Sequence, residues 1–208
     1  TDRRNGRQQY VYLANFDWYN YLYDDSRPTW DHNINIKGGT KALSYMVSGR
    51  YYQQKGVNRI EPDMFKSYNF RVKLQAEIKP WLTIASNTKF FQSNYKYYGY
   101  EDEYNNFRKP TLHALASFVP VNPDGTAVSH TSMTQSSTHY LMDGYSAMMQ
   151  KGKSFGNKKT QEITTTFEAT FKLHKNFNIK ADFSYTQGYL HNDYRSVNVQ
   201  YSQYPGEV

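Results

Sequence analysis

The stretch Ser67–Ile78 alternates without a fault. Tyr68, Phe70, Val72, Leu74, Ala76 and Ile78 share one parity, while Ser67, Asn69, Arg71, Lys73, Gln75 and Glu77 share the other. Successive side chains of a strand point to opposite faces, so the chain contains a strand with one continuous apolar face and one polar face. The run also has the ~9–11 residues that a tilted transmembrane strand needs. A hairpin of a soluble antiparallel sheet with one wet face has the same period, so the period alone leaves both readings open.

Composition narrows the choice. The chain has 208 residues, of which 17% are aromatic and 21 are Tyr, yet its mean hydropathy is −0.88. A soluble core rich in Leu, Ile and Val does not give such numbers. A β-protein with two unlike faces does, and outer-membrane barrels are of this kind, with a weak apolar signal per segment. No run approaches the ~18–20 apolar residues of a transmembrane helix. There is no Cys, so neither a disulfide nor a thiolate metal site can form, and the redox compartment stays open. The net charge is +7, but Lys and Arg are spread over strands and loops, which argues against nucleic-acid binding. The opening Thr1-Asp2-Arg3-Arg4 is not a signal peptide and lacks an initiating Met, so the chain is expected to be an internal piece of something longer.

The same alternation recurs. Trp30–Lys37 reads as a strand with His32, Ile34 and Ile36 on one face. Gly38-Gly39-Thr40-Lys41 follows, and paired glycines are expected to supply the positive φ of a tight hairpin. Leu43–Gln53 returns with Leu43, Tyr45, Val47, Gly49 and Tyr51 on one parity. After the loop Lys55–Lys66 comes the opening strand, then a Lys79-Pro80 turn, then a softer strand over Trp81–Phe91. Gln161–Leu173 and Phe177–Tyr185 alternate again around His174-Lys175-Asn176. Earlier, Tyr10–Tyr23 is aromatic without a clean period, as a short helix or a packed loop would be. Thr111–Phe118 could form a short helix. Pro120–Gly125 has turn chemistry, with Gly taking the left-handed position.

Connections are short after the strands ending near Lys37, Ile78 and Leu173, and long after those ending near Gln53, Phe91 and Thr186. Short turns at one end and long loops at the other is the plan of an outer-membrane barrel, whereas a soluble sandwich mixes lengths at both ends. The fold expected is therefore all-β: an antiparallel transmembrane barrel segment of about six strands. The alternative is a soluble β-sandwich that binds carbohydrate through its aromatics. The two differ on the apolar parity, which meets lipid in the first and a second sheet in the second.

Candidate chemistry is sparse. His32, His113, His130, His139, His174 and His191 show no metal-pair spacing. Glu101-Asp102-Glu103 could hold Ca²⁺ through oxygens or be a solvated loop. No nucleophile elbow, phosphate loop or zinc-protease signature occurs, and no carboxylate pair resembles that of a glycosidase, so an enzyme is not expected. The run Tyr95-Lys96-Tyr97-Tyr98-Gly99-Tyr100 has two readings. Tyr95, Tyr97, Tyr98 and Tyr100 could contact ligand or a partner protein, or they could belong to an interfacial aromatic girdle. Arg50, Arg71, Lys73, Glu77, Lys172, Lys180 and Asp182 fall on the polar parity and should face a lumen.

An ordered set of short motifs resembles the SusC/RagA-type TonB-dependent outer-membrane transporters of the Bacteroidetes. It comprises Asp17-Trp18, His32–Lys41 with Gly38-Gly39-Thr40, Tyr45–Tyr52 with Gln54 and Gly56, Tyr68–Leu74, and Ile78-Lys79-Pro80-Trp81-Leu82. Pro120-Val121-Asn122-Pro123-Asp124-Gly125 resembles the family's "PVYNPDG" segment, and Lys37 stands where the family usually has Ser. The resemblance covers Asn15 to about Thr186. It implies a barrel of about 22 strands around an N-terminal plug, a SusD-like surface lipoprotein as lid, and TonB-coupled import of oligosaccharides or peptides across the outer membrane. It also implies that Gly38–Lys41, Lys79-Pro80 and His174–Asn176 face the periplasm. Residues 1–29 then end an extracellular loop, 30–91 hold four barrel strands, 92–159 form a long extracellular loop, 160–186 hold two barrel strands, and 187–208 begin another extracellular loop. TonB would act through a region not in this sequence. Six strands cannot close a membrane barrel, whose minimum is about eight, so the isolated chain is expected to be unstable in water.

Overall fold

The chain is described by a computed structural model over residues 2–4, 7–10, 12–99, 116–128, 152–197, 201–202, 204 and 206. It opens with a small hairpin, β1 (Asp2–Arg4) and β2 (Arg7–Gln9), and a short helix, α1 (Trp18–Leu22). Four long strands follow: β3 (Thr29–Gly39), β4 (Leu43–Lys55), β5 (Met64–Lys79) and β6 (Leu82–Tyr98). Then come the short β7 (Ala127–Val128), the long β8 (Phe155–His174) and β9 (Phe177–Arg195), and the short β10 (Tyr201–Ser202), which pairs parallel with β7.

The six long strands make one antiparallel sheet in the order β3-β4-β5-β6-β8-β9, and the sheet does not close on itself. Its register carries the alternation of each strand across the whole surface. Ile36, Val47, Val72, Thr88, Thr165 and Tyr185 lie side by side in one row. The next row on the same face is Ile34, Gly49, Phe70, Phe90, Ile163 and Gln187. The opposite face carries rows such as Asn35, Ser48, Arg71, Lys89, Thr164 and Thr186. A slip of one residue in any strand would turn its apolar set onto the polar face, which pins the register.

Nothing among the described residues covers the apolar face. Phe183 is 66% exposed, Ile34 64%, Phe167 54% and Phe70 49%. A soluble sandwich would bury these side chains against a second sheet, so the exposed face counts against that alternative. Along β5 the apolar parity runs from Tyr68 to Ile78. At ~3.3 Å per residue and a tilt of ~40° that span is about 25 Å tall, the height of a lipid-facing apolar band. Polar groups inside the band satisfy one another across strands, as Thr88 and Thr165 do at 3.3 Å. Tyr51 and Tyr68 pack at 5.2 Å at one edge of the band, and Trp81 stacks on Phe171 at the other. These pairs form the two aromatic rims expected of a membrane barrel.

All six expected strands are present, but they overrun their expected ends on the long-loop side. β6 continues to Tyr98 rather than Phe91, β8 begins at Phe155 rather than Gln161, and β9 extends to Arg195 rather than ending near Thr186. Residues 92–98, 155–159 and 187–195, expected to lie in loops, are therefore strand. Beyond the apolar band both faces of the sheet are polar or aromatic, so the period-two hydropathy signal ends while the backbone ladder does not. Residues 111–115 of the expected short helix lie outside the described residues, and 116–118 are turn and irregular chain.

The three connections at the other end are tight. The β3–β4 turn closes through Thr40, whose N–H donates to the Leu43 carbonyl at 2.6 Å and whose Oγ1 accepts from the N–H groups of Ala42 and Leu43. Of the two glycines expected to supply positive φ, Gly39 does, at +156°, and Gly38 does not. Gly38 sits opposite Tyr45, and a Cβ there would overlap the Tyr45 ring. Gly156 repeats the device beneath Tyr97. In both pairs an aromatic ring lies over a cross-strand glycine and covers backbone that has no side chain of its own.

A small core lies at the long-loop rim rather than in the sheet. Trp18, Leu22 and Tyr23 are buried together and are packed by Phe16, Tyr21, Val57 and Phe118. Asp17 caps α1 by accepting from the Asn20 N–H at 3.0 Å.

Candidate functional site

The polar face of the sheet carries the candidate functional residues. All seven charged residues expected on it are there by register: Arg50, Arg71, Lys73, Glu77, Lys172, Lys180 and Asp182. The strands stand about 4.8 Å apart, so side chains on neighbouring strands reach one another. Arg50 grips Asp31 in a fork, with 2.9 Å to Oδ1 and 2.7 Å to Oδ2. Lys180 reaches Glu168 at 2.8 Å, and Arg71 donates to Asn87 Oδ1 at 2.8 Å. Thr166 and Ser184 share a hydrogen bond at 2.7 Å. Arg71 and Lys89 face each other directly in the register. A shallow trough of about 450 Å³ runs along this part of the sheet, between Asn33, Arg50, Arg71 and Glu162. Such a wall can stay hydrated and hold polar solute without binding it tightly.

The tyrosine run does not act as one cluster. Tyr95 and Tyr97 lie on the polar face, and Tyr98 lies on the opposite one. Tyr97 is 2% exposed, stacks on Tyr95 at 5.5 Å and covers Gly156. Tyr98 receives the Lys96 ammonium over its ring at 4.9 Å. Tyr100 and the Glu101-Asp102-Glu103 cluster lie outside the described residues. The girdle rows at Tyr51, Tyr68 and Tyr189 fall well short of this run: Tyr98 lies six residues beyond Gln92, which pairs with Tyr68. That is about 15 Å above the apolar band at the same rise and tilt.

A clamp at the long-loop rim was legible in the sequence only as a turn. Gly125 has φ +86°, as the Pro-Asp-Gly pattern requires. The turn also presents Asn122 and Asp124. The Asn122 amide donates to Thr126 Oγ1, the Ala127 carbonyl and the Ser202 carbonyl at 2.8, 3.2 and 3.1 Å, and its Oδ1 accepts from the Tyr12 hydroxyl. Asp124 accepts from the Tyr10 hydroxyl at 2.7 Å and from the Thr126 hydroxyl and N–H at 2.6 and 3.0 Å. The Thr126 side chain first, and then Tyr10, hold the Asp124 carboxyl down to about 2. The same bond pushes the Tyr10 hydroxyl up to about 12, and burial raises Tyr12. One turn thus joins chain segments more than 70 residues apart on either side.

The remaining candidates stand apart. His32 stacks on Tyr51 on the apolar-parity side, and His191 bonds Asp193 at 2.8 Å. Asp24 pairs with Lys55 and Arg59 at 3.5 and 3.4 Å. No group of three potential metal ligands occurs among the described residues. His113, His130 and His139 lie outside them.

No family model and no curated protein matches the chain. Solved structures do. The RagAB peptide importer in its closed-closed state matches with a TM-score of 0.68 and 21% identity over 95% of this chain. Its open-open state matches with the same TM-score and identity over 94%. The chain has the fold of a segment of that importer. It spans 22% of the length of the RagAB chain it matches. The agreement with RagAB covers 95% of the chain, and it meets the SusC/RagA resemblance drawn from the motifs. The matched structures are those of importers rather than enzymes.

Proposed function

We propose that the chain is part of the barrel wall of a SusC/RagA-type, TonB-dependent outer-membrane importer. The observation that carries this is the bare apolar band of about 25 Å on one face of a sheet whose other face is charged and interlocked. Backbone groups at the two open edges, β3 and β9, cannot face lipid unpaired, so further strands flank them and the closed barrel supplies both. The polar face then lines the lumen, and the strand ends beyond the band rise outside the cell. Peptide is the favoured cargo, because the matched importer carries peptides, and oligosaccharide is the second candidate. A SusD-like lipoprotein covers the long-loop end, and energy comes through TonB. Tyr95, Tyr97, Tyr98 and Tyr100 are the tyrosines offered for cargo or lid contact, with Tyr97 packed against Tyr95.

The test is fractionation of the chain expressed with its native flanking sequence. A heat-modifiable band in the detergent-soluble outer-membrane pool is expected. A water-soluble, monomeric, cooperatively folded product would overturn the transporter reading.

A further inference from the structure

The apolar parity does not end in a featureless rim. One row beyond the Tyr51–Tyr68 girdle, on the same face, stand Gln53, Lys66, Asn94 and Lys159 side by side. The row after that holds Lys55, Met64, Lys96 and Asn157. Lys66 and Lys159 flank Asn94 and sit two strands apart, ~10 Å at Cα, close enough for both ammonium groups to meet on one tetrahedral anion. Lys96 is two residues along from Asn94, one row farther out on the same face. Its ammonium lies 4.9 Å over Tyr98 and 5.8 Å from Phe155, which draw it toward the next row out on the same face. Among the described residues no carboxylate pairs with Lys66, Lys96 or Lys159. The cation beside them, Lys55, is taken by Asp24, and the acid at the edge of the same row, Asp193, is taken by His191.

We propose that Lys66 and Lys159, with Lys96 one row farther out, form a site for the phosphate of an anionic lipid headgroup in the outer leaflet. This inference rests on the barrel-wall reading. Position decides for a lipid over a free anion. The three lysines lie on the face that continues the apolar band, with Lys66 and Lys159 a single row, about 5 Å, above its last apolar row. That is the level of headgroup phosphates for a lipid whose chains lie against Phe70, Phe90 and Ile163. Long lysine stems let the ammonium groups rise to meet it.

The test uses the full-length transporter in detergent, equilibrated with equal phosphatidylglycerol and phosphatidylcholine, with retained lipid counted by native mass spectrometry. Wild type is expected to retain phosphatidylglycerol preferentially. K66Q/K159Q should lose roughly 25-fold of that preference and K96Q alone roughly fivefold, at the usual contribution of a lysine near an anionic surface. K73Q/K89Q, on the polar face, should lose none. Millimolar inorganic phosphate should not displace the lipid. Unchanged preference in both K66Q/K159Q and K96Q, equal loss in K73Q/K89Q, or displacement by phosphate would each overturn the site. A wild-type chain that never enters detergent micelles as a heat-modifiable barrel overturns the barrel-wall reading as well, so the two failures are distinguishable.

Discussion

Val72 is the position where the membrane reading is most exposed to refutation. It lies between Val47 and Thr88 on the apolar face. From Tyr68 it is four residues into the band and from Ile78 six, which places it about 10 Å below one boundary and about 15 Å above the other. Arginine that close to the bilayer midplane costs about 2–4 kcal/mol on the lipid face of a barrel, and about 0–1 near the interfaces. Val72→Arg should therefore lower the folded-to-unfolded ratio by about 30- to 700-fold, at 1.4 kcal/mol per decade. Tyr68→Arg should cost far less, and Lys73→Gln, one residue away on the polar face, should be near neutral. The assay is urea-titrated folding of the full-length protein into vesicles, read by the heat-modifiable gel shift. Equal costs at Tyr68 and Val72, or a larger cost at Lys73, would refute the depth argument and with it the lipid-facing assignment.

Gly156→Val should destabilise the upper wall by about 1–3 kcal/mol, because the new side chain displaces the Tyr97 ring; the same titration measures it, and Tyr97→Ala in the same chain should relieve part of the loss. The Asp124 clamp should be pH-limited on both sides. Asp124 has a depressed pKa, so its contribution is complete above about pH 4 and is lost as pH falls through about 2. Tyr10 has a raised pKa, so its contribution is complete below about pH 10 and is lost as pH rises through about 12. Hydrogen exchange of residues 116–128 in the folded protein should accelerate at both limits, and Asp124→Asn should abolish the acid limb.

How much was legible follows from where the two faces of the sheet differ. Within the band each strand must present an apolar side to one solvent and a polar side to another, and hydropathy records this at Tyr68–Ile78 residue by residue. Above it both faces carry polar and aromatic residues, so 92–98 and 187–195 gave no period although the ladder runs on. Gly38 misled because its neighbour Gly39 made a turn plausible, while the reason for it, the Tyr45 ring, comes from the facing strand. Asn122 and Asp124 spelled a turn correctly, but their partners Tyr12, Tyr10 and Ser202 are remote in sequence, and no local pattern marks them.

The bare apolar face has a consequence for how this wall can drift. A packed interior constrains the volume and shape of every side chain, because neighbours must interlock. On the barrel-wall reading this face meets lipid chains, which are fluid and fill whatever outline they meet. Phe70, Val72 or Ile163 could each become another apolar residue with little cost, provided the parity holds. What is constrained is a two-letter code, apolar or polar, together with the few glycines and the turn threonine that set the backbone. This chain and the RagAB peptide importer can thus share one fold at 21% identity, since a wall facing a liquid would need its pattern far more than its spelling.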